Sequence, residues 1–229
     1  MKAFLFDFDG VLVDTSHLHL TAIKRALYFF NVSDNDFDMD ALQGESTTKI
    51  AQITRERTYA DFSTSDFISL ENKYFIDSLS VSNIEFNPGV KEILNYCNKW
   101  NLKTAIVTNA NLKREVVPVI RSIKNSAKIL NCFNFIITGD DVANRKPSPD
   151  IYIEAMKKFG LKGIDCIAFE DSKTGAKSAY ISGCFVVGVG PQIIKKYAHL
   201  HLHTLHEVLS MVKELGHPSN IKIKKFNTV

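Results

Sequence analysis

No apolar run in this 229-residue sequence approaches the roughly 18 residues that a membrane-spanning helix requires. Cysteine is scarce. Cys97, Cys132, Cys166 and Cys184 are scattered, with neither the CxxC spacing of zinc and redox sites nor a disulfide framework. They read as buried thiols of a reducing compartment. Nor does one sign of charge dominate: 28 basic and 25 acidic side chains leave a formal net charge of +3, too little to argue for nucleic acid or a membrane surface as partner. Met1-Lys2-Ala3 leads straight into an apolar stretch, so no secretory signal is expected. With 45% hydrophobic and 23% charged residues, the composition is that of an ordinary globular protein. The expectation is a cytoplasmic monomer with a sizeable core.

What is present begins with Asp7-Phe8-Asp9-Gly10-Val11-Leu12-Val13-Asp14-Thr15. The preceding Ala3-Phe4-Leu5-Phe6 is continuously apolar, as suits a strand buried on both faces of a parallel sheet. Asp7 and Asp9 come where that strand would end, and Gly10 lets the chain turn away. Ligands of open parallel sheets gather beyond the carboxyl ends of the strands. Two like charges there repel unless a cation or a proton lies between them. If the strand continues through both, alternation would point Asp7 and Asp9 the same way.

Beyond Thr15 the apolar spacing becomes helical over residues 18–30, around 50–53 and over 67–79, with no convincing strand between 16 and 82. Asn87-Pro88-Gly89 breaks the chain before a further helix from Val90. Strands and helices then alternate: strands at 104–108, 133–138, 166–169 and 184–189, helices at 113–123, 150–159 and 176–181. This alternation implies an α/β fold with a doubly wound parallel sheet. Residues 1–14 and 85–229 form its core domain, and 15–84 an inserted α-helical domain.

A parallel sheet would gather the strand-end residues on one rim: Asp7 and Asp9, then Thr108 and Asn109, then Lys146 and finally Glu170 and Asp171. Those parts suit phosphoryl transfer through an aspartate. A carboxylate attacks phosphorus, Mg²⁺ on hard oxygen ligands relieves the repulsion between anions, and a hydroxyl and an ammonium group hold the transferring oxygens. Taken singly, Thr108 reads as a helix cap, Lys146 as a solvated lysine and Glu170-Asp171-Ser172 as an acidic first turn. Their shared order and placement outweigh those readings.

Phe6-Asp7-x-Asp9-Gly10-x-Leu12-x-Asp14-Thr15, Thr108-Asn109, Lys146-Pro147-x-Pro149-Asp150 and Glu170-Asp171-Ser172-x-x-Gly175 together resemble the four signatures of the haloacid-dehalogenase-like hydrolases, in particular the β-phosphoglucomutase and sugar-phosphatase group. The resemblance implies a nucleophilic, metal-binding Asp7 and an acid/base Asp9 whose carbonyl also binds the metal. It implies phosphoryl binding by Thr108, Asn109 and Lys146, a Mg²⁺ site completed by Asp171 with Glu170, and a helical cap that closes over substrate. The expected function is Mg²⁺-dependent hydrolysis of a small phosphorylated metabolite, a sugar phosphate foremost. The alternative is a phosphosugar mutase, which must grip a second phosphate. His19 matches the histidine that such a mutase carries in its first cap helix. Asn111 and Thr47 (after Gly44-Glu45-Ser46) stand where a mutase has a lysine and an arginine, and these two departures favour hydrolysis. Haloacid dehalogenases themselves lack an equivalent of Asp9. A phosphorylated receiver module is disfavoured by the early Asp7 and by the insertion.

Three further patterns carry less. Asp34, Asp36, Asp38 and Glu45 mimic a calcium loop but place Met39 where that loop needs glycine. His199, His201 and His203 alternate with leucines and read as a surface strand with the leucines inward. The basic Lys222, Lys224 and Lys225 have no evident role.

Overall fold

The computed structural model describes residues 1–33, 47–191, 194 and 196–214. The acidic pattern from Asp34 to Glu45, Gly44-Glu45-Ser46 and the basic Lys222, Lys224 and Lys225 lie outside these residues. The described chain divides into two compact units, Met1–Asp14 with Glu85–Val229, and Thr15–Ile84.

The first unit is built on a six-stranded parallel sheet. Its strands are β1 (Ala3–Phe6), β2 (Lys103–Val107), β3 (Phe135–Ile137), β4 (Cys166–Glu170), β5 (Phe185–Val189) and β6 (Leu200–Leu202), in the order β3-β2-β1-β4-β5-β6. The helices in chain order are α1 (Ser16–Phe29), α2 (Thr47–Thr58), α3 (Thr64–Val81), α4 (Val90–Lys99), α5 (Val117–Ser122), α6 (Ser126–Leu130), α7 (Asp150–Phe159), α8 (Lys173–Ile181) and α9 (Leu205–Glu214).

β1 lies between β2 and β4, where the winding reverses, and its four residues are buried. Successive side chains of a strand point to opposite faces. Ala3 and Leu5 join one apolar layer with Ile151, Tyr152, Ala155, Ala176 and Ala179. Phe4 and Phe6 take the other face, with ring centroids 5.2 and 4.8 Å from Phe169. Burying such a ring contributes roughly 1.5–3 kcal/mol, so β1 is the anchored centre of the sheet and the chain leaving it is held from below.

The second unit packs α1 and α2 against α3 around a separate core of Ile23, Ala26, Leu27, Ile50, Ala51 and Phe67. The rings of Phe30, Phe62 and Phe67 stack at 4.5 and 5.3 Å.

Two expectations are corrected. The single helix expected at 113–123 is a π-helical turn, Leu112–Val116, running into α5. Pro118 lacks the N–H that continued α-helical bonding needs, and the Asn111 side chain caps the turn by accepting from the Lys113 and Arg114 N–H groups at 3.1 and 2.9 Å. Of the histidines around β6, His199 and His201 are half-buried where a surface strand was expected, and His203 is exposed. His199 Nδ1 accepts from the Val186 N–H at 3.0 Å, its ring stacks on Phe185 at 4.8 Å, and burial lowers its pKa. His201 Nε2 lies 2.9 Å from the Gly190 carbonyl. Leu200 and Leu202 are themselves only half-buried, because β6 is the edge strand.

Candidate active site

β1 stops at Phe6, so Asp7 and Asp9 are not successive positions of one strand, as alternation alone had required. The Asp7 N–H still bonds the Phe169 carbonyl at 3.0 Å, which keeps Asp7 in line with the strand end. The chain then folds into a tight turn. The Leu12 and Val13 N–H groups both reach the Phe8 carbonyl, at 2.9 and 3.1 Å, and the Gly10 N–H reaches Val13 at 2.7 Å. The Asn87 side chain donates to the Gly10 and Val11 carbonyls at 3.2 and 3.1 Å, and its backbone N–H to Leu12 at 2.8 Å. Gly10 has φ +79°, and a Cβ on it would lie 2.0 Å from the Asp171 carboxylate. Only glycine meets both conditions.

Lys146 is the centre of the site. Its ammonium is buried and donates to Asp7 Oδ1 at 2.8 Å, Glu170 Oε1 at 2.7 Å and the Val107 carbonyl at 2.8 Å, which uses all three of its N–H groups. Burial alone would favour the neutral amine, but Asp7 and Glu170 hold its pKa above the ordinary lysine value. The loop carrying it is fixed by Asn109, whose amide donates to the Lys146 carbonyl at 3.1 Å and accepts from the Lys146 N–H at 2.8 Å.

The acids outnumber this one ammonium. Oxygens of Asp7, Glu170 and Asp171 all lie within 4.8 Å of one another. Burial and then the Asp7 charge push Glu170 up to about 8, although Lys146 and Tyr152 pull it down. The same two causes push Asp171 up to about 7, with a smaller push from Asp9. Glu170 Oε1 also accepts from the Tyr152 hydroxyl, whereas its buried Oε2 has no hydrogen-bond partner among the described residues. A buried carboxylate oxygen in that state is costly. Surplus buried negative charge, hard oxygen donors and an orphaned oxygen together fit a divalent cation of the Mg²⁺ type. The Asp9 side chain is not in this group of three.

The Thr108 hydroxyl, at the end of β2, is buried and accepts from the Ala110 N–H at 3.1 Å. Asn109, expected to bind phosphate, spends its side chain on Lys146. The Asn111 amide donates to Asp140 at 2.6 Å, and the Arg145 guanidinium joins Asp140 at 3.0 Å and the Asn109 carbonyl at 3.3 Å. In the helical unit, His19 Nδ1 lies 3.1 Å from Glu71 Oε1, and its ring stacks on Phe75 at 4.0 Å. Glu71 is almost wholly buried, its side chain 6% exposed. Thr47 opens α2. Sequence reading missed Tyr152, Asn87 and Glu71. A tyrosine in the first turn of α7 and an asparagine before Pro88 look like core and turn residues until their partners are known.

A parallel sheet with an acid-and-lysine cluster at its winding reversal defines a phosphoryl-transfer type of α/β enzyme. Residues 4–189 match the haloacid dehalogenase-like hydrolase family, and the chain belongs to it as an enzyme of the hydrolase class. It is 26% identical over 222 residues to β-phosphoglucomutase of Bacillus subtilis (strain 168), covering 90% of this chain and 95% of the relative. It is 27% identical over 186 residues to the phosphorylated carbohydrates phosphatase of Thermotoga maritima, covering 80% and 82%. The fold matches the crystal structure of a family IA, variant 3 hydrolase of Entamoeba histolytica with a TM-score of 0.79 at 23% identity, over 93% of this chain and all of the other (100%). Among the described residues no helix is long and apolar enough to cross a membrane.

Proposed function

We propose that the protein is a Mg²⁺-dependent phosphatase that hydrolyses a small phosphorylated metabolite, a sugar phosphate foremost, through a phosphorylated Asp7. The observation that carries this reading is the buried Lys146 ammonium shared by Asp7 and Glu170, beside the Asp7, Glu170 and Asp171 oxygens. Relatives named for β-phosphoglucomutase and carbohydrate phosphatase activity support the substrate class.

Asp7, Asp171 and Glu170, with the Asp9 carbonyl, would hold the Mg²⁺. When bound, the ion supplies the positive charge that lets an anionic carboxylate approach an anionic phosphoryl group. Asp7 attacks phosphorus. The bond to the substrate oxygen breaks as an Asp7–phosphorus bond forms, and Asp9 gives the leaving oxygen its proton. Asp9 then takes a proton from water as that water attacks phosphorus and releases inorganic phosphate. Lys146 holds Asp7 through its Oδ1, while Thr108 and the Asn109 main chain would bind the phosphoryl oxygens. The helical unit has the role of the family's cap, with His19, braced by Glu71, as a substrate-recognition residue. Hydrolysis is favoured over mutase chemistry because Asn111 is neutral and already committed to Asp140, Lys113 and Arg114.

The test is phosphate release from a panel of sugar phosphates with Mg²⁺, with Asp7→Asn as control and β-glucose 1-phosphate plus a bisphosphate primer as one arm. Mg²⁺-dependent phosphate release that Asp7→Asn abolishes is expected. Conversion to glucose 6-phosphate with negligible phosphate release would make the protein a mutase instead.

A further inference from the structure

Tyr152 is buried, its ring part of the apolar layer beneath the sheet. A phenylalanine would fill that space without a hydroxyl to desolvate, and burying a hydroxyl is unfavourable unless it is hydrogen-bonded. Here the hydroxyl meets Glu170 Oε1, the oxygen that also accepts from Lys146. A phenol keeps its proton throughout the physiological range, so the hydroxyl donates to Glu170.

The environment of Glu170 is thus asymmetric. Oε1 receives two donors, an ammonium and a hydroxyl, whereas Oε2 receives none among the described residues. The carboxylate packs close against Gly175, where a Cβ would lie 1.9 Å from Oε2 and 2.4 Å from Oε1. With Lys146 as sole partner the carboxylate could pivot about one bond and offer either oxygen, since carboxylate torsions are broad. The second donor removes that freedom.

We propose that Tyr152 is a positioning residue of the metal site, fixing Glu170 through Oε1 so that Oε2 stays available to a divalent cation or to its bound water. This rests on the metal-dependent reading above. Partners that orient a metal ligand in this way commonly account for about 10- to 100-fold in metal affinity.

Tyr152→Phe isolates the hydroxyl, because the ring and its approach to the Lys146 ammonium at 5.3 Å are retained. Purified wild type, Tyr152→Phe and Asp171→Asn would be titrated with Mg²⁺ alone by calorimetry, and their melting followed with and without the ion. The expected result for Tyr152→Phe is a native circular dichroism spectrum with Mg²⁺ affinity about 10- to 100-fold weaker and a smaller Mg²⁺-induced rise in melting temperature. A Tyr152→Phe protein that melts lower by the same amount with and without Mg²⁺, at unchanged affinity, would mean that the hydroxyl only stabilises the fold and would overturn the inference. If Asp171→Asn also keeps wild-type Mg²⁺ affinity, the metal site itself is wrong and the inference falls with it. If Asp171→Asn loses affinity and Tyr152→Phe does not, the inference alone fails.

Discussion

Glu170 and Gly175 show how single atoms set the site. The absent Cβ of Gly175 is what lets the first turn of α8 lie against the Glu170 carboxylate. In Gly175→Ala either the helix start or the carboxylate must move. A loss of about 1–3 kcal/mol in stability, as for other overpacked positions, should accompany a fall in activity of at least about 10-fold, the scale of a displaced metal-ligand contact. Urea denaturation and steady-state rates would check this; wild-type activity in a stably folded Gly175→Ala would show that Glu170 need not stay where it is. The grouping of Asp7, Lys146, Glu170 and Asp171 was legible in the sequence because each stands at or beyond the carboxyl end of a strand, and strand ends of a parallel sheet share a rim. Their partners were not. Lys146 meets Asp7 from 139 positions away, and Tyr152 meets Glu170 from 18. Periodicity reports which face of an element is apolar and is silent on which polar tip crosses to another element. Asn109 illustrates the limit: its place after β2 was readable, but not that its amide would be used on the Lys146 backbone.

At the scale of elements, the apolar run of β1 and the alternation beyond Val90 were enough to anticipate a parallel sheet, because a strand covered on both faces leaves a mark that needs no partner to be read. The turn after β1 is different, since its shape depends on a residue from a distant segment. Asn87→Ala removes the two side-chain bonds to the Gly10 and Val11 carbonyls. At roughly 0.5–1.5 kcal/mol for each bond, a stability loss of about 1–3 kcal/mol is expected by chemical denaturation. Activity should fall further than stability explains, because the loosened turn carries both Asp9 and Gly10. An unchanged rate would show that the turn holds its form without Asn87. The π-helical turn before α5 was not legible, because five residues are too few for apolar spacing to tell one helix type from another.

The whole molecule carries a stability signature of its buried acids. Without a cation, Glu170 and Asp171 have pKa values of about 8 and about 7, whereas unfolded carboxylates titrate near about 4. Between those limits the folded chain binds more protons than the unfolded chain, so stability should fall as pH rises from about 5 to about 8. A divalent cation replaces those protons, and Mg²⁺ should therefore raise the melting temperature more at about pH 8 than at about pH 5.5. A larger increment at the lower pH would contradict the metal assignment. The measurement that bears most directly on phosphoryl transfer through Asp7 is a rapid acid quench of the protein turning over a labelled sugar phosphate with Mg²⁺, followed by peptide mass spectrometry. The expected result is a phosphoryl group on the peptide containing Asp7, released by hydroxylamine and missing in Asp7→Asn. Steady phosphate release with no protein-bound phosphoryl group at any quench time, or with the label on another residue, would contradict it.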